Sequence, residues 1–544
     1  MHSVRLLLTA LVFACAITAT VAAPTTGQTP ASESVAPATP AVEAGQPAPT
    51  RAGFGWLDYT TLGTYLGAMV GIGWFCARRN KNTDDYFKAA GRIPWWAAGL
   101  SIYATVLSSI TFMAIPAKSF ATDWTYFWAS LPILLLAPVV IRLYLPFFRR
   151  LNVTSAYEYL ELRFNLPTRL YGSAAFVMFQ LGRQAIVLLL PALALAAVSN
   201  LNVSASIVIM GVLCMLYTVM GGVEAVVWTD VAQTVVLVGA ALVSLLLIVF
   251  GSAGPGVAQF MTIASDEGKF HMFNWTLDPS TTANAFWVIL VGNLFINLVP
   301  YTSDQAIVQR YMTTKDEAMS ARAIWLNGLI ALPSTALFFS IGTALFVFYH
   351  LHPEKLVPGQ VTDAIFPAFI VQNLPMGVAG LVIAGIFAAA QSTVSGSLNS
   401  VTTAIMTDFC RRFGFLTDET RSLRAARAIT AGLGVFATLA ALALAKSGLQ
   451  SLWDAYNSLV GLVGSGLAGL FALGIFTRRA NGPGALIGAL ASAVTLYLVQ
   501  RYTDLHFYLY AGIGIITCFV VGWLASLLIP TRQTCNLKEL TIYR

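Results

Sequence analysis

Apolar runs of about 20 residues follow one another along this chain with little between them, and a run of that length is what a helix needs to cross a bilayer. With 57% apolar and only 10% charged residues, the 544-residue chain has too few solvated side chains to cover a soluble protein of its size. The runs predict an all-α polytopic membrane protein of about thirteen transmembrane helices. They lie near 57–77, 97–117, 126–145, 171–198, 205–220, 227–250, 284–301, 323–349, 376–409, 426–445, 449–476, 484–499 and 507–528. Inside hydrocarbon every polar group needs a partner, so the few polar residues within these runs carry the functional information.

Residues 1–23 have a basic start at His2 and Arg5, an apolar stretch and the small pair Ala22-Ala23, which reads as a signal peptide. Residues 24–52 are rich in Ala, Pro and Thr and predict a disordered periplasmic segment. The membrane domain is expected over 53–532, and 533–544 form a cytoplasmic tail. The N-terminus is then outside. Basic residues agree with that orientation: Arg78, Arg79, Lys81, Lys88, Arg92, Arg149, Arg150, Arg310, Lys315, Arg322, Arg411, Arg412, Arg478, Arg479, Arg532 and Lys538 all fall in the loops expected on the cytoplasmic side. The net charge of +7 is thereby explained without nucleic acid.

Scattered cysteines and histidines give no disulfide framework and no zinc spacing. There is no Walker-type phosphate loop and no nucleophile with a neighbouring base, so neither ATP-driven pumping nor an enzyme is expected.

Three polar features stand inside the apolar runs. Ala389, Ser392, Thr393 and Gly396 recur at i, i+3, i+4 and i+7, which puts them on one helix face with converging hydroxyls. Such a face is a cradle for a small hard cation or a small-residue contact between helices. Arg183 lies far from either end of its run, where a guanidinium must meet an internal carboxylate or the carboxylate of a substrate. Asp230, near the cytoplasmic start of its run, either complements a helix N-terminus or belongs to an ion pathway.

Two runs read as interrupted. One, from Leu100 to Pro116, is hydroxyl-rich in the middle (Thr105, Ser108, Ser109, Thr111) and closed by proline; the other, from Gly292 to Tyr301, carries Asn293, Asn297 and Pro300. They open two five-helix sets of opposite topology, and paired interruptions of this kind mark a transporter's binding site.

At this point the segments Gly-Gly-Val-Glu-Ala-Val-Val-Trp-Thr-Asp-Val-Ala-Gln (221–233), Asp-Asp-Tyr-Phe-Lys-Ala-Ala-Gly-Arg (84–92) and Ser-Leu-Asn-Ser-Val-Thr-Thr-Ala-Ile-Met-Thr-Asp-Phe (397–409) can be taken together. In order and spacing they closely resemble the sodium:solute symporter family, over about 54–532. The resemblance implies the inverted-repeat fold of the bacterial leucine transporter. It also implies a co-transported Na+ held by the carbonyls of Ala104, Leu107 and Ala389 and the hydroxyls of Ser392 and Thr393. Within the family the chain is most similar to bacterial sialic acid transporters, which implies Ser108, Thr111 and Arg183 at the substrate; Asn297 resembles a pocket asparagine of the galactose relatives. Two positions depart from that branch. Ser130 stands where the branch resembles glutamine, and Gly396 stands where a serine would complete a second sodium site with Asp230, Ser392 and Ser395.

The expectation is a Na+-coupled symporter of an acidic sugar in a bacterial inner membrane, working as a monomer within the lipid bilayer. A neutral-sugar or organic-acid symporter, and a membrane sensor on a transporter scaffold, are the alternatives. With Gly396 supplying no oxygen, one Na+ per monoanionic substrate is expected, hence near-electroneutral transport.

Overall fold

The computed structural model describes residues 55–79, 82–151, 153–198, 202–281, 283–356, 362, 365–416, 418–446, 463–529 and 537–543. The expected signal peptide, all of the Pro-rich segment and the first half of the run at 449–476 lie outside them.

The described chain is helical nearly throughout. Its main helices are α1 (Trp56–Ala77), α2 (Trp95–Val106), α3 (Ser109–Ala121), α4 (Thr125–Leu151), α5 (Leu166–Val198), α6 (Val203–Phe250), α7 (Phe286–Ser303) and α8 (Gln305–Met312). They continue as α9 (Glu317–Leu351), α10 (Val378–Arg411), α11 (Glu419–Ala445), α12 (Ser465–Phe476), α13 (Gly482–Tyr502) and α14 (Tyr508–Leu528). Among the described residues nine helices are long and apolar enough to span a membrane, or ten if the bent pair α2/α3 is one span. That number does not confirm the expected count of about thirteen: α6 holds two of the expected runs on either side of a kink at Gly222, α12 is short because 449–462 are outside the described residues, and α1 is not among the nine.

A single backbone position divides α6. Gly222 adopts φ 56, ψ −152, a conformation open almost only to glycine, and a Cβ there would stand 2.6 Å from the Tyr86 carbonyl oxygen. Two independent constraints therefore demand glycine in the first turn of the 221–233 segment.

α10 is the central element. It packs along α6, α5, α1 and α2, and 89% of its apolar window is buried, so its hydroxyls have protein or cargo to face and almost no lipid. Alanine, glycine and serine dominate it, which lets neighbouring backbones come close. Its far end is held by charge: Asp408 accepts from Arg169 at 2.8 Å and from the hydroxyls of Ser155 and Ser173 at 2.8 Å each. On the same side, Glu224 of α6 pairs with Arg79 at 3.0 Å and Arg92 at 3.2 Å.

The two interruptions are not where proline suggests. Pro116 lies inside α3 and Pro300 inside α7. Neither stops its helix, because neighbouring helices and side chains re-satisfy the backbone groups that a membrane proline frees. The first break is at Leu107 and Ser108, both extended, and turns the chain by 58° between α2 and α3. The second falls one turn beyond Pro300, at the extended Asp304 between α7 and α8.

Candidate functional site

The break after α2 strands its last carbonyls, and polar side chains from two other helices come to them. Ser392 of α10 donates to the Ala104 carbonyl at 2.8 Å and to the Ala389 carbonyl at 3.1 Å. Thr393 reaches the Ala389 carbonyl at 3.3 Å and the Thr105 carbonyl at 3.5 Å. All of these residues are buried. Ala104, Ala389, Ser392 and Thr393 thus form one oxygen cluster where a helix C-terminus meets the hydroxyl face of α10. Leu107, next in line, is buried and already extended, so its carbonyl turns away from the helical ladder. A hard cation takes oxygen ligands, and helix C-terminal carbonyls carry partial negative charge, so this donor set suits Na+.

Arg183 comes to the same break from α5. It is 6% exposed and donates through Nη2 to the Thr105 carbonyl at 2.9 Å. One turn further along α5, the Val187 carbonyl accepts from Ser109 at 3.1 Å, which fixes the start of α3 against α5. Ser108 and Thr111 stand on that first turn with their hydroxyls 3.5 Å apart. Arg183, Ser108 and Thr111 therefore share one neighbourhood, adjoining the oxygen cluster.

Asn297 is placed differently. Its amide donates back to the Asn293 carbonyl at 2.8 Å, and α7 packs on α4 and α14. Ser130 likewise bonds within its own turn, to the Phe127 carbonyl at 2.9 Å.

Around Asp230 the structure brings in groups that the pattern of the sequence did not indicate. Asp230 accepts from the Ser101 hydroxyl and, at 3.1 Å, from Arg310 of α8. Ser395 donates to the Ser392 carbonyl at 3.3 Å. Arg310 is 1% exposed, so it is not one of the solvated cytoplasmic charges with which its position in the sequence grouped it. A second connection runs from Ser397 of α10 to Gln180 of α5 at 2.8 Å, and from Gln180 to the Asp304 carboxylate at 3.0 Å. The sequence signal for Asp304 and Arg310 is the polar cluster Asp304-Gln305 with Gln309-Arg310, just beyond an apolar run, where only Arg310 is assigned, to a cytoplasmic loop.

A broken helix whose carbonyls face a hydroxyl-bearing central helix is the setting in which the family match is decisive. The sequence pattern of the sodium:solute symporter family matches residues 86–492. The chain belongs to the sodium:solute symporter family. This symporter is 42% identical over 476 residues to the sodium/sialic acid symporter NanT of Aliivibrio fischeri, covering 87% of this chain and 93% of that one. It is 40% identical over 485 residues to the sodium/sialic acid symporter SiaT of Proteus mirabilis, covering 88% and 97%. In structure it is similar to a Na+-coupled sialic acid symporter in a substrate-bound outward-open state, with a TM-score of 0.83, 38% identity and coverage of 88% and 99%. A TM-score of 0.57 at 16% identity relates its fold to that of Mhp1, a nucleobase-cation-symport-1 family transporter, over 85% of this chain and 98% of the other. The symporter is a multi-pass membrane protein with the inverted-repeat fold.

Proposed function

We propose that this symporter imports a carboxylated sugar, sialic acid or a close analogue, driven by Na+. The observation that carries the proposal is the adjacency of two sites at one break: the oxygen cluster of Ala104, Ala389, Ser392 and Thr393, and Arg183 beside Ser108 and Thr111. The names of the relatives at 40% identity and above support the same substrate class. Na+ enters the cluster with Leu107 as a further carbonyl ligand, and each serine or threonine hydroxyl turns its O–H away from the carbonyl and presents a lone pair to the ion. The ion then bridges α2 and α10, which belong to different repeats, and stabilises the arrangement in which the substrate site is formed. Arg183 meets the sugar's carboxylate with its planar fork, and the hydroxyls of Ser108 and Thr111 complete the contact. Rocking of the repeats releases both cargoes inward.

The distribution of basic residues supports an N-terminus outside and a C-terminus in the cytoplasm of a bacterial inner membrane. One chain carries every residue of the proposed site, which supports a monomeric functional unit. The test is equilibrium binding of a panel of neutral sugars, sugar acids and small organic acids to the purified symporter, with and without Na+. Sialic acid is expected to bind with Na+ and at least tenfold more weakly without it; preference for a neutral sugar would overturn the assignment.

A further inference from the structure

Asp230 is a carboxylate with 0% exposure in the middle of a membrane helix, and a buried charge of that kind needs a counter-charge. Here the counter-charge is covalently attached. Arg310 donates Nη2 to Asp230 at 3.1 Å and Nε to the Ser101 hydroxyl at 2.7 Å, while Nη1 bonds the Ala306 carbonyl. The guanidinium is held by all three of its nitrogens. Ser101 donates onward to the same Asp230 oxygen, Oδ2, so acid, hydroxyl and guanidinium close a small ring.

The guanidinium rests on Gly396. A Cβ at that glycine would stand 2.5 Å from Nη2 and 3.4 Å from both Cζ and Nη1, so any side chain there requires Arg310 to move. Gly396 is i+3 from Thr393 and i+4 from Ser392, so the guanidinium sits one helical turn from the hydroxyls of the oxygen cluster, on the same face of α10. Ser395, the remaining hydroxyl at this level, is turned to the Ser392 carbonyl.

We infer that Arg310 is a resident cation that keeps the Asp230 position closed to Na+, with Gly396 as the socket that admits it, so that a single Na+ travels per transport cycle. The inference rests on the symporter reading above and adds the coupling ratio and its structural cause. The second Asp230 oxygen, Oδ1, is buried without a hydrogen-bond partner among the described residues. A Na+ arriving there would meet a fixed positive charge already bonded to the same carboxylate, and like charges so close in a water-poor site repel strongly. A monoanionic substrate moving with one Na+ carries no net charge, so membrane potential would not drive its uptake.

The test counts Na+ bound to the purified full chain in a sodium-free choline buffer, by titration calorimetry with NaCl alone and no substrate. One Na+ per wild-type chain is expected, and two would overturn the inference without needing any variant. In Thr393→Ala the single site should weaken at least tenfold and leave no other; a residual Na+ that disappears with Asp230→Asn would overturn it equally. Gly396→Ser displaces Nη2 and offers an oxygen, so it should raise the count to two while retaining the wild-type helical signal; a well-folded Gly396→Ser that still binds one removes Gly396 from the role of socket. A chain that binds one Na+ yet shows no Na+-dependent uptake of an acidic sugar would sink the proposed function and leave this inference standing.

Discussion

The two broken helices of this symporter expose opposite ends to each other. At the first break the groups left over are carbonyls, at the C-terminus of α2, and they are met by side chains from elsewhere: Ser392, Thr393 and Arg183. At the second break Asp304 caps the N–H groups of α8, accepting from the Ala306 amide at 2.7 Å, while its carboxylate is also held by Gln180 and the Ser303 carbonyl accepts from Tyr157 at 2.9 Å. Carbonyls met by hydroxyls leave lone pairs that a cation can share; N–H groups already capped by a carboxylate offer a cation nothing. The same inverted architecture has thus placed an exchangeable site on one side and a fixed joint on the other.

Substitutions can break this contrast, and the largest effect is expected at Arg183. Lysine keeps the charge but loses the planar fork, so Arg183→Lys should lower uptake of a carboxylated sugar into reconstituted vesicles well beyond tenfold, each tenfold being about 1.4 kcal/mol. Normal uptake would make the arginine a fixed strut, and the two breaks would then be alike. Next come Ser392→Ala and Thr393→Ala, each of which removes one oxygen from the cluster. Half-saturation by Na+ should rise about tenfold or more, with normal insertion judged by surface labelling; wild-type sodium affinity in both variants would dissolve the cradle.

At the closed break the effects should be on stability. Asp304→Ala removes a helix cap worth about 1 kcal/mol and should lower the melting temperature, while Na+ half-saturation stays within about twofold. A tenfold shift in sodium affinity there would show that the second break also takes part in cation binding. Smallest of all is Pro300→Ala. Because α7 runs through Pro300, transport and Na+ dependence should stay within about twofold of wild type.

The oxygen cluster was legible in the sequence because it is local: Ala389, Ser392 and Thr393 lie within two turns of one apolar run, and helical periodicity alone puts them on one face. The breaks were half legible. Polar content located the right segments, but proline gave the wrong residues, since Pro116 and Pro300 sit inside helices while the chain turns at Leu107–Ser108 and Asp304. What turns it there is the set of partners waiting on α10 and α5, and those are contributed from far along the chain. Arg310 was hidden for the same reason. Its partner Asp230 is 80 residues away, and an arginine just beyond an apolar run is ordinarily a solvated charge.

One consequence of the hydroxyl cluster concerns turnover. Ser392 and Thr393 are already bonded to the carbonyls that would share a Na+ with them. An arriving ion does not fill a bare cage; it exchanges several existing hydrogen bonds for coordination, and the net gain is the difference between two similar sums. Departure is eased by the same exchange, because each oxygen that loses the ion regains a neighbour at once. In a site built this way the gap between the occupied and the empty state is narrowed, which favours release of the ion as well as its capture and lets the cycle begin again.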